Sequence, residues 1–180
     1  MAESTKRNRK SIRLKDYNYS QLGAYFITIC TKEKRHILSQ IVGTGVLDGP
    51  QIVLSHYGKT AETILLQLND HYNNISLESY VIMPNHIHLL LVLKNVDSSD
   101  LSVIGPSGTP VPTQRNSTLS RFVSTFKRFC NKEYEKNIWQ SRFYDHIIRN
   151  RKDFDEHLRY IYENPFRWKE DSLYSEELDI

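Results

Sequence analysis

Long hydrophobic runs are missing from this sequence. No stretch of its 180 residues reaches the length needed to span a bilayer, and the opening MAESTKRNRK has no apolar core of the kind that exports a chain. A membrane or exported protein is therefore not expected, and a cytoplasmic one is. Cysteine is scarce as well: Cys30 and Cys130 are the only two, and neither sits in a Cys-x-x-Cys pair. That argues against a disulfide scaffold or a cysteine metal knuckle and leaves both thiols as reduced core residues. No internal sequence repeat is present. A mass of 21.2 kDa fits one domain, and 39% hydrophobic with 25% charged residues fits a folded one.

Net charge is only +3, but its distribution is uneven. Residues 1–15 carry Lys6, Arg7, Arg9, Lys10, Arg13 and Lys15 against Glu3, and Arg121 to Lys152 hold nine basic and three acidic residues. From Lys169 onward the chain is mainly acidic. Basic clusters beside aromatics suit a polyanion that also offers flat bases, and they equally suit solvated surface.

Periodicity predicts a strand at Tyr25–Thr31, an amphipathic helix over His56–Tyr72, and two strands at Ile75–Ile82 and His86–Leu93 joined through Met83-Pro84-Asn85. Residues 95–116, rich in Asp, Ser, Gly and Pro, read as a long loop insertion. A second helix over Ser117–Tyr134, a short strand near Phe143–Ile148 and a last helix from Lys152 to Glu163 follow. The order matches an α+β, ferredoxin-like split βαβ arrangement, an antiparallel sheet with helices on one face, followed by a further C-terminal helix. The expected layout is a basic arm over residues 1–20, a domain over 21–168 and an acidic tail over 169–180.

Alternation in His86–Leu93 puts His86, His88, Leu90 and Val92 on one side, so two imidazoles point the same way and suit a metal ion or a mutual hydrogen bond. On the last helix Phe154, Leu158 and Ile161 form an apolar stripe. Tyr160 and Asn164, at i and i+4, project roughly 40° apart beside it, with His157 near them. If they meet the histidines, Asn164 completes a metal site with His86 and His88, and Tyr160 is placed to attack a phosphate. Tyr162 competes as nucleophile but projects elsewhere, with Phe166 as its i+4 neighbour; packed helix tyrosines are the plain alternative. The general base is open, with His157 as a candidate.

Three stretches, Tyr80-Val81-Ile82-Met83-Pro84-Asn85-His86-Ile87-His88-Leu89-Leu90, Ile138-Trp139-Gln140-Ser141-Arg142-Phe143-Tyr144-Asp145-His146-Ile147-Ile148-Arg149 and Tyr160-Ile161-Tyr162-Glu163-Asn164-Pro165, taken in order, resemble the REP-associated tyrosine transposases, relatives of the small HUH transposases of hairpin-ended insertion sequences. The resemblance runs from about Tyr25 to Trp168. It implies an HUH nuclease fold, Mg²⁺ or Mn²⁺, hairpin-bearing single-stranded DNA as partner, and cleavage through a covalent tyrosine adduct. His86 and His88 then correspond to the histidine ligands, Tyr160 to the nucleophile and Asn164 to the ligand one turn later. A cytoplasmic, nucleoid-associated monomer or homodimer is expected. Lys6, Arg7, Arg9, Lys10, Arg121, Lys127, Arg128, Arg149, Arg151 and Lys152 are the candidate phosphate contacts. Trp139, Phe143 and Tyr144 are read as base-stacking or core residues. Two other readings stay open: a catalytically silent hairpin-binding regulator, and a metal hydrolase in which water attacks.

Overall fold

A computed structural model describes residues 22–43, 49–94 and 117–175. The basic arm with Lys6, Arg7, Arg9 and Lys10, the segment 95–116 and the end of the acidic tail lie outside the described residues. In chain order the elements are β1 (Gly23–Cys30), β2 (Ser39–Val42), β3 (Gln51–Leu54), α1 (His56–His71), β4 (Ile75–Ile82), β5 (His86–Leu93), α2 (Thr118–Glu133), β6 (Tyr144–Ile148) and α3 (Arg151–Glu163), with short 3₁₀ turns at Lys32–Lys34 and Trp168–Glu170.

The main sheet is four-stranded, in the order β4-β5-β1-β6, and every neighbouring pair is antiparallel. Set the β2–β3 hairpin aside and this is the split βαβ layout expected from the sequence. That hairpin is an addition. Its four-residue strands, Ser39–Val42 and Gln51–Leu54, are too short to leave a clear period.

Strand alternation sorts the side chains into two layers. Tyr25, Ile27 and Ile29 of β1, with Ile87, Leu89, Leu91 and Leu93 of β5, face α1 and α2 and close a core with Leu65, Phe122 and Phe126. The opposite positions, Phe26, Leu90 and Ile148, meet Val81, Met83 and Ile161 beneath α3. In β4 a bulge between Leu77 and Ser79 reverses the sense of alternation. Ile75 and Leu77 face the larger core before it, and Tyr80 and Ile82 do so after it. The apolar face beneath α3 is small, so α3 buries only Ile161 fully. Leu158, expected in the stripe, is 38% exposed and lines a surface groove with Ile52 and Tyr80 instead.

Each long helix starts on a capping side chain: Ser55 accepts the Gly58 N–H, Ser117 the Ser120 N–H and Asn150 the Asp153 N–H. Gly58 serves a second purpose. A Cβ there would collide with the Leu38 backbone carbonyl, whose oxygen also accepts the Ser55 N–H at 2.9 Å. The clash is with backbone, so the helix itself has to move. Gly58→Ala is expected to cost at least ~2 kcal/mol and to lower the thermal midpoint by roughly 5 °C, readable by calorimetry. An unchanged midpoint would show that α1 can shift freely against the β1–β2 connection.

Candidate active site

β5 is flanked on both sides, by β4 and β1, so its register is fixed and both histidines sit at its first turn-proximal positions. His86 is fully buried and His88 is 3% exposed. Each ring is oriented by a neighbour. His86 Nδ1 lies 2.7 Å from Asn85 Oδ1, which can only accept, so Nδ1 carries the proton and Nε2 its lone pair. His88 Nδ1 is 2.8 Å from the Thr28 hydroxyl, its cross-strand partner on β1. The two Nε2 atoms are thereby turned toward each other at 3.0 Å. Without a cation one of them must donate a proton to the other; with one, both lone pairs converge on it.

Burial pulls His86 down to about 4 and His88 well below the ordinary imidazole value. The folded state therefore binds fewer protons than the unfolded chain between about 4 and 6.5. By linkage, stability of the metal-free protein must fall as pH is lowered through that window. Urea denaturation at pH 7.5, 6 and 5 with a chelator present should show this decline. Replacing both histidines by Gln should flatten it; an equal slope in that variant would place its origin elsewhere.

α3 crosses this face with Tyr160 next to the pair. The phenol ring meets the His88 ring edge-on at a centroid distance of 5.2 Å and the Phe26 ring at 5.8 Å. Asn164, one turn later, is 3% exposed. Tyr162 is 76% exposed and stacked on Phe166, so of the two tyrosines on α3 it is Tyr160 that packs against His88. His157 packs against Phe26, at 4.7 Å between ring centroids.

Sequence reasoning missed the group that joins the phenol and the amide. Residues 168–175 fold back over the site: Trp168 packs on His86, Asn85 Nδ2 donates to the Leu173 carbonyl at 3.0 Å, and Asp171 reaches inward. Asp171 Oδ2 accepts both the Tyr160 O–H and an Asn164 N–H at 2.7 Å, while Oδ1 accepts the Leu173 N–H at 2.6 Å. Burial pushes the Asp171 carboxyl up, but these bonds from Leu173, Asn164 and Tyr160 outweigh it and hold the group below the usual carboxylate range. Burial, reinforced by the hydrogen bond and charge of Asp171, lifts the Tyr160 phenol far above its ordinary value. In this arrangement the tyrosine keeps its proton.

The donor atoms of His86, His88 and Asp171 lie within 4.8 Å of one another. Asn164 Oδ1 is buried without a hydrogen-bond partner. A buried acceptor without a partner, on the amide that donates to Asp171, next to a carboxylate and two imidazoles whose donor atoms converge, is what a divalent cation would satisfy, so these residues fit a metal. A cleft of about 620 Å³ opens in front, lined by Phe26, Thr28, His88, Tyr144, His157 and Tyr160 among others. A second, of about 350 Å³, lies past Asp171 and is lined by Tyr160, Asn164 and Arg167.

The basic residues are dispersed. Arg121 and Arg128 are exposed on α2, across the sheet from the histidines, and Arg128 stacks on Phe129. Lys127 is engaged internally, its ammonium donating to the Gln140 and Arg142 carbonyls at 2.7 and 2.8 Å, and burial pulls it down to about 8. Its ammonium thus ties two backbone carbonyls to α2. Arg149, Arg151 and Lys152 are exposed at the start of α3, Arg151 pairing with Asp155 and Lys152 with Glu156. Of the three aromatics considered for stacking, Trp139 is in the core against Phe126, Phe143 packs at its edge, and Tyr144 lines the cleft at 45% exposure. No described helix is long and apolar enough to cross a membrane.

No protein-family model matches the sequence. An uncharacterized protein of Haemophilus influenzae is 32% identical over 174 residues, covering 93% of each chain. A REP-associated tyrosine transposase of Escherichia coli K12 is 27% identical, covering 83% of this chain and 70% of its own. A solved structure of a REP-associated tyrosine transposase bound to a REP hairpin superposes with a TM-score of 0.57 at 22% identity, covering 87% of this chain and 73% of the other, and shares the fold. In sequence the chain is thus similar to REP-associated tyrosine transposases, as its three motifs suggest, and it shares the fold of one that has been solved.

Proposed function

We propose that this protein cuts and rejoins single-stranded DNA next to a hairpin, as a tyrosine transposase with Tyr160 as nucleophile. The observation that carries this reading is the placement of the phenol edge-on to His88, with Asn164 one turn behind it. The Tyr160 oxygen forms a bond to phosphorus, the bond from phosphorus to the 3′ oxygen breaks, and a 5′-phosphotyrosine and a free 3′-hydroxyl result. The phenolic proton leaves through the cleft and the departing oxygen takes one up. Phe26 and Tyr144 line the cleft in front, where unpaired bases can stack.

His86, His88 and Asn164 would hold a divalent cation, with Asn85 and Thr28 orienting the rings. Held there, such an ion would supply neutralisation of phosphate charge. The mixed nitrogen and oxygen donor set favours Mn²⁺ over Mg²⁺, which prefers oxygen alone. Arg149, Arg151 and Lys152 remain the proposed phosphate contacts near the tyrosine helix, and Arg121 and Arg128 those of the far face. We place the protein in the cytoplasm with the nucleoid.

The test is direct. The protein is incubated with labelled single strands carrying hairpins from its own genomic flanks, with Mn²⁺ or Mg²⁺, and run on a denaturing gel. A band of protein joined to DNA supports the reading; cleavage without such a band means water attacks. A second reading, a silent hairpin-binding regulator, is supported by the Asp171 bond that keeps the phenol protonated. It predicts hairpin retention with neither cleavage nor adduct.

A further inference from the structure

On the other side of Phe26 from the histidine pair lies a second group of metal-donor side chains. Phe26 packs on His88 at 4.9 Å and on His157 at 4.7 Å between ring centroids, so its ring separates the two groups. His146 comes from β6, and Asp153 and His157 from successive turns of α3. His146 Nε2 is 3.1 Å from both Asp153 carboxylate oxygens, and His157 Nδ1 is 3.0 Å from Oδ1. The donor atoms lie within 4.8 Å of one another, and the imidazoles, stacked at 4.6 Å with an 18° tilt, need a ring rotation to aim both in-plane lone pairs at one ion.

We propose that His146, Asp153 and His157 form a second cation site, for a borderline first-row divalent ion of the Zn²⁺ class. Donors around an ion with bonds near 2.0–2.2 Å stand roughly 3–3.5 Å apart, the spacing seen for the carboxylate to either imidazole. Two nitrogens and one oxygen suit Zn²⁺ and disfavour Mg²⁺ or Ca²⁺. Asp153 Oδ2 accepts the Arg149 N–H at 3.0 Å, which fixes the carboxylate plane and leaves Oδ1 to the ion. For His157 Nδ1 to bind an ion, the single proton of the neutral ring must sit on Nε2, which replaces the present 2.8 Å hydrogen bond to the Asp153 carbonyl. The remaining coordination position faces solvent, because the His146 side chain is 46% exposed.

The consequence is mechanical. α3 has Ile161 as its one fully buried residue, so it is weakly held by packing. A bond through one ion from the edge strand β6 to two turns of α3 pins this helix one turn ahead of Tyr160. The site thereby controls the position of the nucleophile, and its existence does not depend on the strand-cleavage reading.

The experiment uses the full chain with His86→Ala and His88→Ala, which removes the imidazoles of the first group. Zn²⁺ is titrated by calorimetry, and Co²⁺ by its visible absorption. One saturable equivalent is expected, together with a rise in thermal midpoint and no competition from excess Mg²⁺. His146→Ala or His157→Ala in that background should weaken binding by more than about tenfold while circular dichroism stays unchanged. Absence of saturable binding, or binding indifferent to both substitutions in folded protein, overturns the proposal and leaves a hydrogen-bonded His-Asp-His group.

Discussion

Tyr160→Phe should abolish the covalent protein-DNA adduct and lower strand cleavage by at least ~10⁴-fold, a loss of the size seen when a catalytic nucleophile is removed. The substitution deletes one oxygen of a residue that is 40% exposed, and with it the hydrogen bonds to Asp171 and Asn164. The ring remains against Phe26 and His88, so folding should be preserved. Hairpin binding measured by gel shift should stay within about twofold, because the loss is confined to the reacting atom. Residual cleavage at parental rate would mean that Tyr160 is not the attacking group. The parallel variant Tyr162→Phe, which alters an outward-pointing ring, is expected to leave the adduct intact.

Asp171→Ala should act in the opposite direction and accelerate adduct formation by about 10–100-fold. A hydrogen bond to an ionised acceptor contributes about 1.5–3 kcal/mol, and Tyr160 must release this one before its oxygen can face phosphorus. Each 1.4 kcal/mol removed from that prior step is about tenfold in rate. The carboxylate is also an anion among the donors at His86 and His88, where the reaction places an anionic phosphate. Removing it relieves both effects. Single-turnover adduct formation on one oligonucleotide, parent against variant, measures the change, and the pH profile should shift toward lower pH as the phenol loses the charge that lifts it. A rate that falls instead would assign Asp171 to the ion as an obligatory ligand. A rate that stays at zero in both proteins favours the silent hairpin binder.

The histidine pair and the tyrosine helix could be read from the sequence because their information is local. Alternation over His86–Leu93 and a 3.6-residue period over Arg151–Glu163 are properties of neighbours, and the strand bounds Ile75–Ile82 and His86–Leu93 match the structure. Thr28 could not be assigned a role that way, since its bond to His88 spans sixty positions and exists only once β1 pairs with β5 in one register. Asp171 was hidden for a different reason. In composition it belongs to an acidic tail, and nothing in that tail's pattern says that it turns back onto the site. Leu158 shows the limit of periodicity itself: the stripe is present, but β4 and β5 offer too little apolar surface under α3 to cover it. The basic residues show the limit of counting charge, because α2 and α3 lie on opposite faces of the sheet and Lys127 is tied to backbone carbonyls.

The two-layer sorting along β5 makes this strand tolerant of one kind of genetic change and closed to another. Exchange among aliphatics at Ile87, Leu89 or Leu91 perturbs only the packing behind the sheet and leaves the imidazoles in place. A single-codon insertion or deletion between Asn85 and Leu90 swaps the roles of alternate positions, sending a histidine into hydrocarbon and a leucine into the cleft. Drift in this segment is therefore confined to substitution, and its length is frozen by the chemistry on one side as firmly as by the hydrocarbon on the other.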